Sequence, residues 1–423
     1  MKKKILSLVL TGVMAASLAA CGGAATSSTA STASKAASTA ASTAASVAAS
    51  TAASTATSVA ASTAASTAAS TAASTTTSTS SGDSEIKSTG PNGEAGVNAN
   101  TITLTDDEIA KVKAGNYTAA ICMHYGGNDW STSQIAGLTD EFNKLGIKIV
   151  ATTDANFSAE QQVSDIETVM AKNPNIIVSI PTDATATVDA YQKAADAGIK
   201  LVFMDNVPKG FTAGKNYVSC VSADNYGNGM AAAKLLAESL GGKGKIGTIY
   251  YDVDFFVTNQ RYKGFKDELA AEYPDVKIVD EEGFTDVNSC NVQADAMLTA
   301  HPDVQGIWAH WDVACEGLLS SIKAANRTDI KVSTCDLGNN IAKEIALGNV
   351  VGLGAQMPYD QGVAEAKLAA YAMLGKEAPA YVVAPAMSVD KSNIADAYKA
   401  VYHIDPPDWL NAALKGQDVS IAS

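Results

Sequence analysis

Carboxylates, amides and aromatic rings gather in short stretches that each follow an apolar run. They are His124-Tyr125-Gly126-Gly127-Asn128-Asp129-Trp130, Asp205-Asn206, residues 252–259 with Arg261 just beyond, Phe284-Thr285-Asp286, His310-Trp311-Asp312, and the single positions Asp336 and Gln356. A sugar hydroxyl donates one hydrogen bond and accepts two, so carboxylate acceptors beside amide or guanidinium donors match it. An aromatic ring suits the apolar C–H face of a pyranose or furanose. Bonds to charged partners are the stronger ones, about 1.5–3 kcal/mol each. An anion would call for more Arg or Lys, so the set fits a small neutral sugar or polyol better. The candidate ligand-binding residues are Asn128, Asp129, Trp130, Asp205, Asn206, Asn259, Arg261, Trp311, Asp312, Asp336 and Gln356. Each has a plainer reading alone. An Asp at a strand end can simply cap the next helix, Trp130 can be core at a helix start, and Arg261 can pair structurally with a carboxylate.

Signatures of catalysis are missing. There is no GxSxG, HExxH or GxxxxGK[ST], and the four histidines are scattered, so a His-rich metal site is not expected. Gly242-Lys-Gly244-Lys-Ile-Gly247 matches GxGxxG but precedes an apolar run, whereas a dinucleotide fingerprint follows a strand and opens a helix. Gly227-Asn-Gly229-Met-Ala-Ala232 falls inside a helical stretch, where its glycines suit close helix packing. Paired carboxylates could also serve a glycosidase. No catalytic residue, cofactor or metal is assigned, and the chain is read as a binder, not an enzyme.

The elements that must position these stretches alternate. Residues 117–123, 147–152, 175–180 and 200–204 are short apolar runs, and residues 131–145, 159–171 and 184–197 carry apolar side chains at helical spacing. Gly146, Asn173-Pro174 and Gly198 are stop signals. The pattern restarts with strands at 245–251, 276–280, 305–309, 331–335 and 350–355, separated by helices centred near Phe265, Ala294, Leu319 and Ile345. Short strands interleaved with helices imply βαβ units on parallel sheets, here two α/β stacks in series. The chain passes between them near Ser222-Ala223-Asp224, with Asp224 a helix N-cap. In open α/β sheets ligands bind beyond the carboxyl ends of the strands, where every stretch above falls.

Ahead of this body lies an address. Lys2, Lys3 and Lys4 precede an apolar run over 5–14 and small residues up to Cys21, the layout of a secretory signal. Leu18-Ala19-Ala20-Cys21 followed by Gly22 resembles the lipobox of bacterial lipoproteins, which implies a signal peptide over 1–20 and lipidation at Cys21. A plain cleaved signal with an incidental Cys21 is the alternative. Residues 24–81 are nearly all Ala, Ser and Thr and offer no apolar face to bury, so 21–96 is read as a disordered tether. Its reach as a flexible coil is ~40 Å; an O-glycosylated stalk has the same composition. The five later cysteines, Cys122, Cys220, Cys290, Cys315 and Cys335, show no CxxC spacing. A net charge of −14 excludes a nucleic-acid partner, which needs clustered Lys and Arg.

Over roughly residues 116–400 the chain resembles the ribose/galactose branch of the type I periplasmic binding proteins of ABC transporters. Val202-Phe-Met-Asp-Asn206, Val221-Ser-Ala-Asp-Asn225, Gln260-Arg-Tyr-Lys-Gly-Phe265 and Leu298-Thr-Ala-His-Pro-Asp-Val-Gln305 carry the resemblance. It implies two doubly wound parallel-sheet lobes joined by a three-segment hinge, with ligand enclosed between them. The first lobe would comprise 116–223 and 357–385, the second 224–356 and 386–405, leaving 406–423 as a tail. Asn128 and Trp130 would stand at the family's amide and stacking aromatic, Asp205 and Asp336 at its two aspartates, and Gln356 at its glutamine. The pattern departs at Asn206 and Asn259, which stand at family arginines, at Trp311, which stands at an Asn, and at Ser131 and Thr285, which replace aromatics. The architecture should therefore be kept and the ligand altered. The resemblance also implies hinge closure, ABC permease subunits as partners and a monomer, and the lipobox implies lipid anchoring on the extracytoplasmic face of the cell membrane. A receptor presenting a sugar or autoinducer to a sensor kinase or chemoreceptor is the alternative function.

Overall fold

The computed structural model describes residues 85–421, so the expected signal peptide, Cys21 and most of the expected tether lie outside the described residues. The chain enters through β1 (Val97–Asn98) and α1 (Asp106–Ala114). It continues through β2 (Thr118–Met123), α2 (Asp129–Leu145), β3 (Lys148–Asp154), α3 (Ala159–Met170), β4 (Ile176–Ser179), α4 (Val188–Asp196), β5 (Lys200–Met204) and β6 (Ser219–Ala223). Then come α5 (Asn225–Ser239), β7 (Lys243–Tyr251), α6 (Phe256–Glu272), β8 (Asp275–Phe284), α7 (Cys290–Ala300), β9 (Gly306–Ala309), α8 (Asp312–Ala324), β10 (Lys331–Cys335), α9 (Asn339–Leu347) and β11 (Gly352–Ala355). The chain finishes with α10 (Pro358–Leu374), β12 (Tyr381–Ala384), β13 (Met387–Val389), α11 (Ile394–Tyr402) and α12 (Asp408–Leu414).

These strands form two sheets, one to a lobe. The first runs β1-β12-β6-β5-β4-β2-β3 and the second β13-β11-β10-β9-β7-β8, with only the β11–β13 pair antiparallel. Strands covered on both faces read as continuous apolar runs, as in Ala119–Met123, where every side chain is buried. In both sheets the order reverses beside the first strand to enter from the helical repeat, at β2/β4 and at β7/β9. Such a switch point opens a crevice at the carboxyl edge. The chain crosses between the lobes three times, at β6–α5, β11–α10 and β12–β13.

Each lobe sets one close helix pair beside its crevice. An added Cβ at Gly229 in α5 would lie 1.9 Å from the Arg261 carbonyl oxygen in α6, and one at Gly264 would lie 2.1 Å from that of Tyr226. Gly137 in α2 and Gly362 in α10 stand in the same relation to Tyr359 and Gln134. The Gly227–Ala232 run thus serves backbone approach, as its position inside a helix suggests.

Four expectations need correction. Residues 85–96 are not tether. Asp224 accepts from the Lys87 and Ser88 N–H groups at 2.9 Å each while capping α5 through Gly227, and Gln260 bonds both backbone groups of Thr89. Nor is 406–423 wholly a tail, because α12 buries Leu410 and Ala413. The helix expected from 184 begins at Val188, since the Asp183 carboxylate holds the Thr185 and Ala186 N–H groups in a turn. The strand expected over 276–280 extends to Phe284, paired along its length with β7. Cys122, Cys220, Cys290, Cys315 and Cys335 are all free and buried.

Candidate functional site

The carboxyl edges of the two sheets face each other across a cavity lined by residues of both lobes. The first lobe lines it with His124, Tyr125, Asn128 and Trp130 after β2, Phe157 after β3, Ile180 after β4 and Asp205 after β5. Tyr251, Phe255, Val257, Thr258 and Arg261 come from β7 and α6. Trp311, Asp312, Asp336 and Gln356 follow β9, β10 and β11. A second recess at the mouth shares Tyr125, Phe157, Tyr251 and Trp311 and adds Asn156, Asp183, Thr285, Asp286 and Asn288.

A continuous polar chain runs along the crossover side. Ser222 Oγ donates to Asp205 Oδ1 at 2.7 Å and lies 3.2 Å from Asn225 Nδ2, which donates to it. Asn225 Oδ1 in turn accepts from the Arg261 guanidinium at 2.9 Å. That guanidinium reaches both oxygens of Asp336, at 3.1 and 3.3 Å, and Gln356 Nε2 donates to Asp336 at 2.8 Å. The two strand-end aspartates, one per lobe, are thus joined through Ser222 and Asn225 at the first crossover and Arg261 in α6. Both hold left-handed backbone, at φ 54° for Asp205 and 67° for Asp336, a conformation that non-glycine residues adopt at a cost and that clusters at functional sites. Each is fixed there by its N–H on a neighbouring strand, Val221 and Gly354 respectively.

Electrostatics follow from burial. Desolvation raises Asp205 to about 6, against the Ser222 bond and Arg261, which lower it. Burial, then the neighbouring Asp336, hold Asp312 well above the ordinary carboxylate range. Burial lowers His124 to about 3, so it is a neutral ring at physiological pH. His310 is likewise neutral, its pKa depressed by burial and then by Arg261. Its Nδ1 accepts from the Tyr251 N–H and its Nε2 donates to the Thr258 carbonyl, both at 2.9 Å, which fixes the tautomer and ties the Tyr251–Thr258 loop to β9.

Aromatic rings supply much of the wall. Tyr125 and Phe157 stack at 4.2 Å, Tyr251 meets Trp311 edge-on at 5.3 Å, and His124 stacks on Phe255 of the other lobe at 5.9 Å. Several buried polar atoms on lining residues have no protein partner: His124 Nδ1, Trp130 Nε1, Arg261 Nε, Trp311 Nε1 and Gln356 Oε1.

Eight of the eleven candidates line the cavity: Asn128, Trp130, Asp205, Arg261, Trp311, Asp312, Asp336 and Gln356. Three do not. Asp129 turns to the second lobe, accepting from the Asn339 backbone N–H at 2.7 Å and its Nδ2 at 2.9 Å, and so caps α9, whose own Gly338 has no side chain. Asn206 is buried beneath the site with its amide on the Pro181 carbonyl. Asn259 is exposed on α6 and bonded to Asp254, because its helical position faces away from Arg261. Asn128 combines roles, lining the cavity and capping α2 through the Ser131 N–H at 2.7 Å. Residues missed include Phe157, Phe255, Tyr251, Ser222 and Asn225. Phe157 stands beyond the carboxyl end of β3, whereas Ser222 and Asn225 sit in the crossover stretch that carries the Asp224 cap and part of the family resemblance.

Residues 119–377 match the family model described as a periplasmic binding protein domain. The chain is 26% identical over 263 residues to the ribose import binding protein of Escherichia coli (strain K12), covering 62% of this chain and 87% of that protein. To the D-ribose/D-allose-binding protein of Pseudomonas aeruginosa it is 30% identical over 228 residues, covering 53% and 70%. Among solved structures, an ABC transporter periplasmic solute binding protein from Actinobacillus succinogenes with bound D-allose superposes at a TM-score of 0.61 and 25% identity. That match covers 66% of this chain and 99% of the other. Residues 85–118 lie ahead of the family match.

Proposed function

We propose that this chain, which belongs to the periplasmic binding protein family, captures a sugar or polyol between its lobes and delivers it to an ABC importer. The observation that carries the reading is the cavity itself: aromatic faces, buried carboxylates and amides from both lobes, with polar atoms lacking protein partners. Buried polar groups are ordinarily hydrogen-bonded, and a polyhydroxylated molecule satisfies donors and acceptors together. The names of the relatives point the same way, to ribose and allose.

Closure of the lobes is the mechanism. Asp205 and Trp130 on one side and Asp312, Trp311 and Arg261 on the other are half-sites that a bound ligand bridges, and only contacts made when closed can favour closure. Asp129 on α9 and His124 on Phe255 are contacts between lobes that open protein would lose. The protein works as a lipoprotein monomer, anchored outside the membrane through Cys21. The basic start, apolar run and Leu18-Ala19-Ala20-Cys21 motif support the anchor, and among the described residues no helix is long and apolar enough to cross a membrane.

A thermal-shift screen of the full chain against pentoses, hexoses, polyols and inositols tests the capture. A ligand that binds only the folded form at 100 times its dissociation constant adds about 2.7 kcal/mol, a clear rise in Tm. No rise for any compound would refute it. The anchor is tested separately: Cys21→Ser should move the protein from the membrane fraction to the medium.

A further inference from the structure

The cavity is unbalanced in charge. Three aspartates line it, Asp205, Asp312 and Asp336, against the single cation Arg261, and Arg261 is committed to Asp336 by two hydrogen bonds. Among the described residues no other Lys or Arg lines the cavity or its mouth, where Asp183 and Asp286 add further negative charge. His124 and His310 are neutral.

Asp312 is the sharper case. It is 5% exposed, and its one hydrogen-bond partner is the N–H of Val313. The charged neighbours that weigh most on it are acidic: Asp336, Glu316 and Asp129. Glu316 is held by Asn340 and Asp129 by Asn339, so neither brings a cation. Asp205, 3% exposed, at least has Ser222 and the field of Arg261. A buried carboxylate without a counter-charge is strongly disfavoured. Gln356, its Nε2 bound to Asp336, adds a buried acceptor, Oε1, with no partner. The walls also carry Trp130, Trp311, Tyr125, Tyr251, Phe157 and Phe255, whose π faces attract cations.

We propose that the ligand is a sugar or polyol bearing a positively charged amino group, with its ammonium held by Asp312 among these aromatic rings. The proposal rests on the sugar-capture reading and narrows it. An ammonium supplies three donors to an acceptor-rich wall and the counter-charge that the protein lacks, while the hydroxyls and the C–H face use Asn128, Asp205 and the indoles. The raised pKa of Asp312 agrees, since burial without a cation destabilises its charged form.

Calorimetric titration of the full chain at neutral pH, using matched sets, tests this. Each neutral hexose or pentose of the screen is paired with its 2-amino-2-deoxy counterpart and the N-acetylated form, beginning with D-glucose, D-glucosamine and N-acetyl-D-glucosamine. The expected result is at least one amino sugar binding ten or more times tighter than its neutral parent, with the advantage lost on acetylation. Asp312→Asn should reduce that ratio tenfold or more, whereas Asp205→Asn should weaken parent and amine alike; thermal melts confirm that both variants fold. A neutral sugar that binds as tightly as its amino counterpart, or a ratio unmoved by Asp312→Asn, overturns the proposal and leaves sugar capture standing. Silence from every compound, neutral and aminated, overturns both.

Discussion

At the scale of single residues, the two strand-end aspartates face different problems. Asp205 is buried with a hydroxyl for company, and its pKa rises from 3.8 to about 6. A carboxyl whose pKa is higher in the folded than in the unfolded chain stabilises the fold fully below the unfolded value. That stability is lost as pH rises through the folded value. The contribution here is on the order of 3 kcal/mol, lost between about pH 4 and pH 6. Asp205→Asn, which cannot ionise, should therefore gain stability relative to the parent across that window while losing ligand affinity. Urea unfolding at pH 4 and pH 7 reads the difference; parallel curves would sink the assignment. Asp336 is instead neutralised. Arg261→Ala leaves it buried without its guanidinium, and loss of one partner of a buried pair costs about 3–5 kcal/mol. Chemical denaturation should show that loss together with loss of binding. Asp205, Asp336 and Gln356 were legible in the sequence because strand ends are, and Arg261 because it lies just past the stretch that follows β7. Phe157 and Phe255 were not, since loops after strands place their rings by a fold that spacing does not encode.

Elements were legible where periodicity and stop signals agreed, as at α2, closed by Gly146 with φ 68°. They were misjudged where side chains competed for backbone groups. Asp183 delays α4, and Thr105 with Glu108 forms a capping box that starts α1, a helix that Thr-x-x-Glu announces in the sequence. Helix-to-helix distance is the other thing elements decide. At Gly229, a methyl would overlap the backbone of Arg261, whose side chain lines the cavity. Gly229→Ala should cost about 1–3 kcal/mol through overpacking and weaken ligand binding by displacing Arg261. Gly137→Ala, at the matching α2–α10 contact, should show a similar fall in Tm. Unchanged melting and affinity in Gly229→Ala would mean that the helices separate freely.

For the whole molecule, the alternating pattern made two parallel-sheet lobes readable, but not what closes over their junction. Asp129 was read as a ligand group because it sits between Asn128 and Trp130; only the tertiary fold shows it capping a helix of the other lobe. Asp129→Ala should lower the affinity for every ligand by a similar factor and enlarge the unliganded molecule in small-angle scattering. A loss confined to some ligands would return Asp129 to the cavity. Asp224→Ala should cost about 1–2 kcal/mol for the lost helix cap and release residues 85–96, seen as new cleavage by a protease added in trace amounts. Resistance to cleavage would show that the strap holds without it.

That strap settles where force enters the body. Residues 87–89 grip Asp224 and Gln260 beside the first crossover, and β1 lies on β12, which leads to the third. Whatever pulls on the chain ahead of residue 85 therefore pulls close to the axis about which the lobes would swing. Its lever arm is short, so tension exerts little torque on either lobe. A tether attached there would leave the proposed opening and shutting of the lobes free of its pull, as a door hung at the jamb moves without moving the frame.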